Sequence, residues 1–351
     1  MEYSILKVQD VYEWKEALSW FASSDIYFSR DYHLMCEKNG DGMAYAFFAR
    51  TEDMFFFYPF LKRPIEKVGT INLEYKYYDI ETVYGYSGPL CNTDCSNFIE
   101  QAWCLFSDWC KSERVVAEFV RCSPVLGNHI HLSNKHMVSL NRQTVVVELE
   151  GSKEILWNSY SSLQRRNVRK AQKLGLMCEF THVDNDIDRF KELYVQTMQN
   201  VGADSYYLFS DDYFDTLCRD LKSNLRLCTV SKDQCVVASA LILIYADKIH
   251  YHLAGSDINY QKMRPNNLLI HTVAEWGLQN GFRTFHLGGG RSASPEDSLF
   301  RFKSAMSQSK RPFYVGKYIH DLNTYNELCE YWMMQKGEKE RPPYFLLYRA
   351  E

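Results

Sequence analysis

The chain has no stretch of about 18 uncharged apolar residues, the length needed to cross a bilayer. Its two most apolar runs, MAYAFFAR and MFFFYPFL, are short and are split by Thr51-Glu52-Asp53. Stable membrane insertion is therefore not expected; peripheral contact stays open. The first residues, MEYSILKVQDVYEWKEALSW, lack a basic region followed by an apolar run, so no signal peptide is expected. Charge of one sign is also missing: 40 Lys+Arg against 44 Asp+Glu gives 40 − 44 = −4. So small an imbalance names no partner, and any nucleic-acid or membrane footprint must be local. The 11 cysteines lack zinc spacing. Cys91 and Cys95 are separated by three residues, and no second close pair completes a site. His129 and His131 alternate on a strand-like run, as do His250 and His252, so no metal is expected. Without export, the thiols are expected reduced and the location cytoplasmic. Gly85-Tyr86-Ser87-Gly88 is not a G-x-S-x-G elbow, and no covalent nucleophile stands out.

What is present is length enough for two domains and a high aromatic content, with 25 Tyr and 21 Phe to line grooves as well as core. Two halves read alike. In the first, Ala44–Ala49 and Met54–Leu61 are strands and Ile80–Tyr86 is another, ending in Gly85-Tyr86-Ser87-Gly88-Pro89. A helix over Ser96–Lys111 and a strand over Val115–Val120 follow. In the second, Leu225–Val230, Val236–Tyr245 and Lys248–Ala254 are strands. A helix spans Pro265–Asn280 with Gly281 at its end, and a strand spans Thr284–Leu287. Arg114 and Arg283 open the strand after each helix, 283 − 114 = 169 apart, and Gly85 and Gly255 follow the strand before it, 255 − 85 = 170 apart. Order and offset together suggest a duplicated α/β unit. Ser152–Lys173, closed by Gly175, is read as one helix between the halves. The expected class is α/β or α+β, with mixed sheets flanked by helices.

The densest stretch is FRTFHLGGGRSASPEDSLFRFKSAM, Phe282–Met306. Phe285-His286-Leu287 is a strand. Gly288, Gly289 and Gly290 allow a sharp turn and a close approach to a ligand. Ser294-Pro295-Glu296-Asp297 reads as a helix start with Ser294 at N-cap. The helix then carries Phe302 and Lys303. The competing reading is a glycine-rich turn with a solvated lysine.

Five segments appear in order: YGYSGP at 84–89; AEFVR at 117–121 with Ser123-Pro124 and Asn128; QRRNVRKA at 164–171 with Gly175; FHLGGG at 285–290; and LFRFK at 299–303. Together they resemble the Fem-type transferases, which fuse two GNAT-like (acetyltransferase-fold) domains. The resemblance runs from roughly Tyr84 to Tyr325. It implies two domains, 1–150 and 151–317, the second beginning with the basic connecting helix. The segment 318–351 is open to packing back on the first domain. It also implies transfer of an aminoacyl or acyl group to an amine. Characterised relatives use aminoacyl-tRNA as donor, with no further cofactor, and a peptidoglycan precursor as acceptor. The chain departs from the pattern at Cys122 and Ser123, where an aromatic and His are common, and it lacks the long helical hairpin of some relatives.

Acyl transfer needs a neutral amine, a proton acceptor and an oxyanion partner. Lys303, behind Phe302, matches the family's Phe-Lys pair and is assigned the third role. Tyr251 and His252 end the central strand of the second half. Strand alternation lets one of them face the cleft, where His252 would accept a proton; a core histidine is the equal alternative. Tyr86, Ser87 and Gly88 are placed beside the acceptor, and Arg121 is suited to an anionic group on it. The turn Tyr260–Asn267, with Arg264 and Asn266, stands where ordinary GNAT enzymes cradle the CoA pyrophosphate, yet it has no glycine. That disfavours acyl-CoA. Arg165, Arg166, Arg169 and Lys170 form helical stripes suited to phosphates of tRNA or of a nucleotide-linked acceptor, or else a solvated face. The alternatives to a Fem-like transferase are a CoA-dependent N-acyltransferase acting on an amino sugar in polysaccharide biosynthesis and a non-catalytic binding module.

Overall fold

The computed structural model describes residues 1–181, 183–203 and 207–350. It divides into two compact units: Met1–Asn141 with Phe313–Glu351, and Arg142–Pro312. The chain leaves the first unit within one strand and re-enters it within another. The second unit thus begins at Arg142 rather than at residue 151, because the strand that carries the crossing runs on to Glu148 and pairs inside the second unit.

The first unit opens with β1 (Glu2–Lys7), α1 (Val11–Ser19), α2 (Arg30–Lys38), β2 (Met43–Arg50) and β3 (Phe55–Val68). There follow β4 (Ile71–Glu81), the short β5 (Leu90–Cys91), α3 (Ser96–Ser112), β6 (Val115–Arg121) and the start of β7 (Met137–Glu148). Its sheet runs β1-β2-β3-β4-β6, all antiparallel except β4 with β6. The run Phe55–Leu61 is buried on both sides of β3, as an uninterrupted apolar strand should be. Phe56, Tyr58 and Phe60 meet Trp103 and Phe106 of α3, whose apolar residues recur at helical spacing (Phe98, Ala102, Trp103, Phe106, Cys110). Phe57 meets Trp14 of α1 edge-on at 5.7 Å.

The expected strand Ile80–Tyr86 ends at Glu81 and instead begins at Ile71. Its early residues are polar and exposed, which hid the alternation. Residues 82–89 form a loop in which Gly85 and Gly88 take φ values of 124° and 90°. His129 and His131 lie on a single 3-10 turn, Asn128–His131, after left-handed Gly127, and not on a strand.

The second unit adds α4 (Lys153–Ser159), α5 (Ser162–Lys173), β8 (Met177–Thr181), α6 (Val183–Asn200), α7 (Asp211–Asp220) and β9 (Leu225–Lys232). It continues with β10 (Cys235–Tyr245), β11 (Lys248–Ser256), α8 (Pro265–Gln279), β12 (Thr284–Gly289) and α9 (Ser298–Ser304). The chain returns through β13 (Lys310–Ile319), which pairs β6 antiparallel from Val315, and ends in α10 (Leu322–Lys336). The expected single helix over Ser152–Lys173 is broken at Tyr160-Ser161, where Ser161 turns extended and caps α5 through Gln164 N.

The sheet of the second unit runs β7-β12-β11-β10-β9-β8, with only β11 and β12 parallel. Val168 and Ala171 of α5 and Leu269, Ile270, Val273 and Ala274 of α8 bury one aliphatic face against Val230, Ala240, Ile242 and Phe285. On β11, Gly255 lies so close to α6 that an added Cβ would collide with the backbone of Leu193 and Tyr194.

Candidate active site

Parallel pairing of β11 with β12 covers only Lys248–His250 with Thr284–His286. Beyond that β11 stays with β10, and β12, after a bulge between His286 and Gly288, stays with β7. The two strands therefore part after His250 and His286, with α9 near β12.

Around the parting sit buried rings. His250 and His286 meet edge to face at 5.5 Å. The Nε2 of His252 lies 3.2 Å from the Tyr213 hydroxyl. Burial, with His250 nearby, lowers His252 to a pKa of about 3, so the ring is neutral at physiological pH. Tyr251 points the other way, into the aliphatic core near Phe285, and burial pushes its phenol up. Of the two, His252 is the one on the side of the other histidines.

Lys303 is 8% exposed, and its Nζ donates to the Gly289 carbonyl at 2.8 Å. Burial lowers its pKa to about 8; Asp297 opposes that shift and Arg142 adds to it. Among the described residues it has no salt bridge with a carboxylate. At neutral pH it is mostly a cation resting on a neutral carbonyl, able to meet developing negative charge. Phe302 packs beside it against the aliphatic core.

The glycines serve the fold before any ligand. Gly288, at φ 74°, forms the bulge. A Cβ at Gly289 would meet the Arg142 side chain at 2.9 Å, and one at Gly290 would strike Asp297 and Phe300. Arg142 Nη1 donates to the Gly290 carbonyl at 2.7 Å. So the chain itself occupies the space beside Gly289 and Gly290. The helix start also differs from expectation: Asp297, not Ser294, is the N-cap of α9. Its Oδ1 accepts from Leu299 N and Phe300 N at 3.0 and 2.9 Å, and its Oδ2 from Arg291 N and Ser292 N at 3.1 and 3.0 Å. A carboxylate that collects four N–H groups outcompetes the Ser294 hydroxyl, which closes a turn onto Glu296 N instead. Against the cost of burial, these bonds hold its carboxyl below the ordinary range.

At the α8 N-terminus Arg264 is exposed and takes φ 69°, the left-handed geometry for which a glycine is usual. Asn266 Nδ2 donates to Ser256 Oγ at 3.2 Å, tying α8 to the end of β11. The basic helix divides. Arg165 is spent on the carbonyls of Tyr160 and Asn158, at 2.7 and 3.3 Å, and Arg169 lies over the Trp157 ring. Arg166 and Lys170 are exposed. A residue pair that sequence reasoning missed holds this helix: buried Gln164 and Asn267 exchange bonds, Asn267 Nδ2 to Gln164 Oε1 at 2.5 Å and Gln164 Nε2 to Asn267 O at 3.2 Å.

In the first unit the expected acceptor residues are engaged by their own chain. Arg121 pairs with Glu81 and donates to Thr82 O at 3.2 Å, and Glu81 also holds Arg63. Arg121 is therefore not a free receptor for an anion. The Tyr86 ring packs edge-on against Phe313 and Tyr27. Ser87 is fully buried and bridges Cys122, and Asn128 Nδ2 donates to its carbonyl at 2.8 Å; Gly88 leaves room for that Asn128. Ser87 is thus a loop anchor, not a residue lying open beside a ligand. Also missed was the buried group of Glu118, His136, His320 and Tyr58, whose members lie far apart in sequence.

Residues 162–304, from the first residue of α5 to the last of α9, match the acetyltransferase (GNAT) domain. No curated protein matches the chain in sequence. Among solved structures it is similar to FemX, with a TM-score of 0.69 at 16% identity over 93% of this chain and 99% of that one. It is similar also to the C-terminal domain of a protein named as a lysylphosphatidylglycerol synthetase from Agrobacterium fabrum (0.54, 14%, 90% and 93%). L-PGS from Bacillus licheniformis gives 0.54 at 13% over 87% and 91%. The chain therefore carries a GNAT acetyltransferase domain within a Fem-like tandem GNAT fold.

Proposed function

We propose that the chain transfers an aminoacyl group, or another acyl group, to an amine of a cell-envelope precursor of the peptidoglycan type. The observation that carries this is Lys303: a buried cation, resting on the Gly289 carbonyl where β11 and β12 have parted. In the proposed reaction the amine attacks the activated carbonyl, and Lys303 stabilises the oxyanion that forms. His252, with the Tyr213 hydroxyl at its Nε2, is proposed to pass the amine proton on to water, since burial leaves the ring too weak a base to keep it. The donor is proposed to be aminoacyl-tRNA, with phosphates met by exposed Arg166 and Lys170. The relatives named for lysylphosphatidylglycerol synthesis support an aminoacyl group as the cargo.

One observation favours a second reading, with acyl-CoA as donor and an amino sugar as acceptor. Arg264 adopts the left-handed turn ahead of α8 without being glycine, so the missing glycines do not remove the geometry suited to a pyrophosphate. The deciding test offers the protein radiolabelled aminoacyl-tRNA with a nucleotide-linked muropeptide, and separately titrates acetyl-CoA by calorimetry. Transfer from tRNA that Lys303→Met removes supports the first reading. Absence of transfer, together with micromolar acetyl-CoA binding that Arg264→Ala removes, replaces it with the second.

A further inference from the structure

The first unit contains a cavity of about 450 Å³ at the start of β6, the strand end opposite Arg121. Its wall brings together Lys111 near the end of α3, Arg114 in the turn before β6, and His320-Asp321-Leu322-Asn323, where β13 gives way to α10. That volume suits a small molecule.

The wall is rich in donors and poor in free acceptors. Arg114 forms no ion pair among the described residues. Lys111 meets only Asp108, at 3.4 Å, with both side chains well exposed, which is a weak hold. The lining carboxylate, Asp321, is already used: its oxygens accept from Thr324 N at 3.1 Å and from Thr324 Oγ1 at 2.7 Å. The α3 carbonyls of Trp109 and Lys111 are taken by the N–H groups of Glu113 and Arg114. The N–H groups of Leu322 and Asn323, in the first turn of the 15-residue α10, make no hydrogen bond among the described residues. The His320 side chain is 1% exposed; its Nε2 has no hydrogen-bond partner, and the Glu118 carboxylate stands 3.6 Å away.

We propose that this cavity is a binding site for a small phosphorylated molecule, in addition to the acyl-transfer site of the second unit. Arg114 and Lys111 would take the phosphate oxygens from one side. The first turn of α10 would take them from the other. The remaining volume would hold the body attached to the phosphate.

Arg114 also supplies a clean test. Its φ of 55° lies in the left-handed region, so glycine at this position relieves backbone strain while removing the guanidinium. The full chain is titrated with inorganic pyrophosphate by calorimetry. Saturable one-to-one binding is expected, weakened about tenfold by Arg114→Gly and similarly by Lys111→Met, as loss of a charged hydrogen bond implies. The melting temperature of Arg114→Gly should be unchanged or higher. Lys303→Met should bind pyrophosphate as the native chain does, which separates this site from the proposed acyl-transfer chemistry. The proposal is overturned by the absence of saturable binding, or by binding that neither Arg114→Gly nor Lys111→Met weakens. It is also overturned if tRNA alone binds in an Arg114-dependent way, because the wall would then serve a polyanion.

Discussion

In the first unit β4, α3 and β6 run strand, helix, parallel strand, and in the second β11, α8 and β12 do the same. Beyond that shared path the two differ in what fills them and how they end. Rings fill the first: Phe47, Phe56, Tyr58, Phe60, Trp103 and Phe106 interlock edge to face. Branched aliphatics fill most of the second. The strands of the first are tied at their C-terminal ends, where Glu81 of β4 pairs with Arg121 of β6. The Tyr27 ring fills the space beside Gly85. In the second, no ion pair among the described residues joins the ends of β11 and β12, and a buried lysine stands nearby on a neutral carbonyl. Where each charge is matched, the element serves as scaffold. Where a cation is buried and left with a dipole, charge is held ready for a reaction. Substitutions should therefore act on stability in the first unit and on rate in the second.

The largest effect is expected at Glu118. This carboxylate is fully buried between His136, 2.9 Å away, and His320. Burial pushes its pKa up, but the hydrogen bond with His136 and the nearness of His320 bring it down to about 2. Glu118→Gln should cost about 3–5 kcal/mol in denaturant unfolding, the usual loss on breaking a buried pair, while turnover per folded molecule stays constant. The sign of the pH dependence follows from the lowered pKa. The contribution of Glu118 is fully present above its unfolded value near 4.5 and is lost as pH falls toward 2. Glu118→Gln should flatten the acid limb of the stability curve. A variant as stable as the native chain would break the comparison on its scaffold side.

Next in size is Lys303→Met, expected to lower kcat by about 100-fold or more, as loss of an oxyanion partner does. Methionine has no ammonium to desolvate, so the melting temperature should hold or rise. In the native enzyme the rate should fall as pH passes about 8, when the ammonium is lost. Stability should move oppositely. The folded pKa lies below the unfolded one, so the unfolded chain binds more protons between about 8 and 10.5 and stability rises across that window. Stopped-flow rates beside thermal melts over pH 7–10 check both, and a flat rate profile would sink the role given to Lys303.

Arg121→Gln should cost only about 1 kcal/mol, because Glu81 keeps Arg63 and the pair is partly exposed. Acceptor KM should not change; a clear rise would return Arg121 to the acceptor site. The smallest stability effect belongs to Arg166→Glu with Lys170→Glu, within about 0–1 kcal/mol per exposed charge. If these residues meet tRNA, its affinity should drop and the salt slope should flatten by roughly one for each lost phosphate contact. Filter binding at several salt concentrations reads both.

Much of this was legible where chemistry is local. Pro265 opens α8 and Gly281 follows its end; apolar spacing marks α3; the glycine run and Lys303 mark the segment around the site. What escaped was set by distant partners. Whether Arg121 is free depends on Glu81, 121 − 81 = 40 residues earlier, and α5 packs on α8 through Gln164 and Asn267, 267 − 164 = 103 residues apart. No periodicity records such meetings. The choice between Ser294 and Asp297 as cap was local yet ambiguous, since both precede good helix formers. It was decided by a loop that folds back so that Arg291 and Ser292 reach the same carboxylate.

The division of the chain bears on how it is made. The second unit is one uninterrupted stretch, Arg142–Pro312, so all of it leaves the ribosome before the first unit is complete. The first unit must wait for Phe313–Glu351. Until then β6 lacks its β13 partner, and Val116 and Ala117 lack the cover of Tyr325, Leu328 and Trp332. Of the two units, the one begun first is thus the last to close, and during synthesis it carries an open sheet edge of the kind that invites wrong pairing.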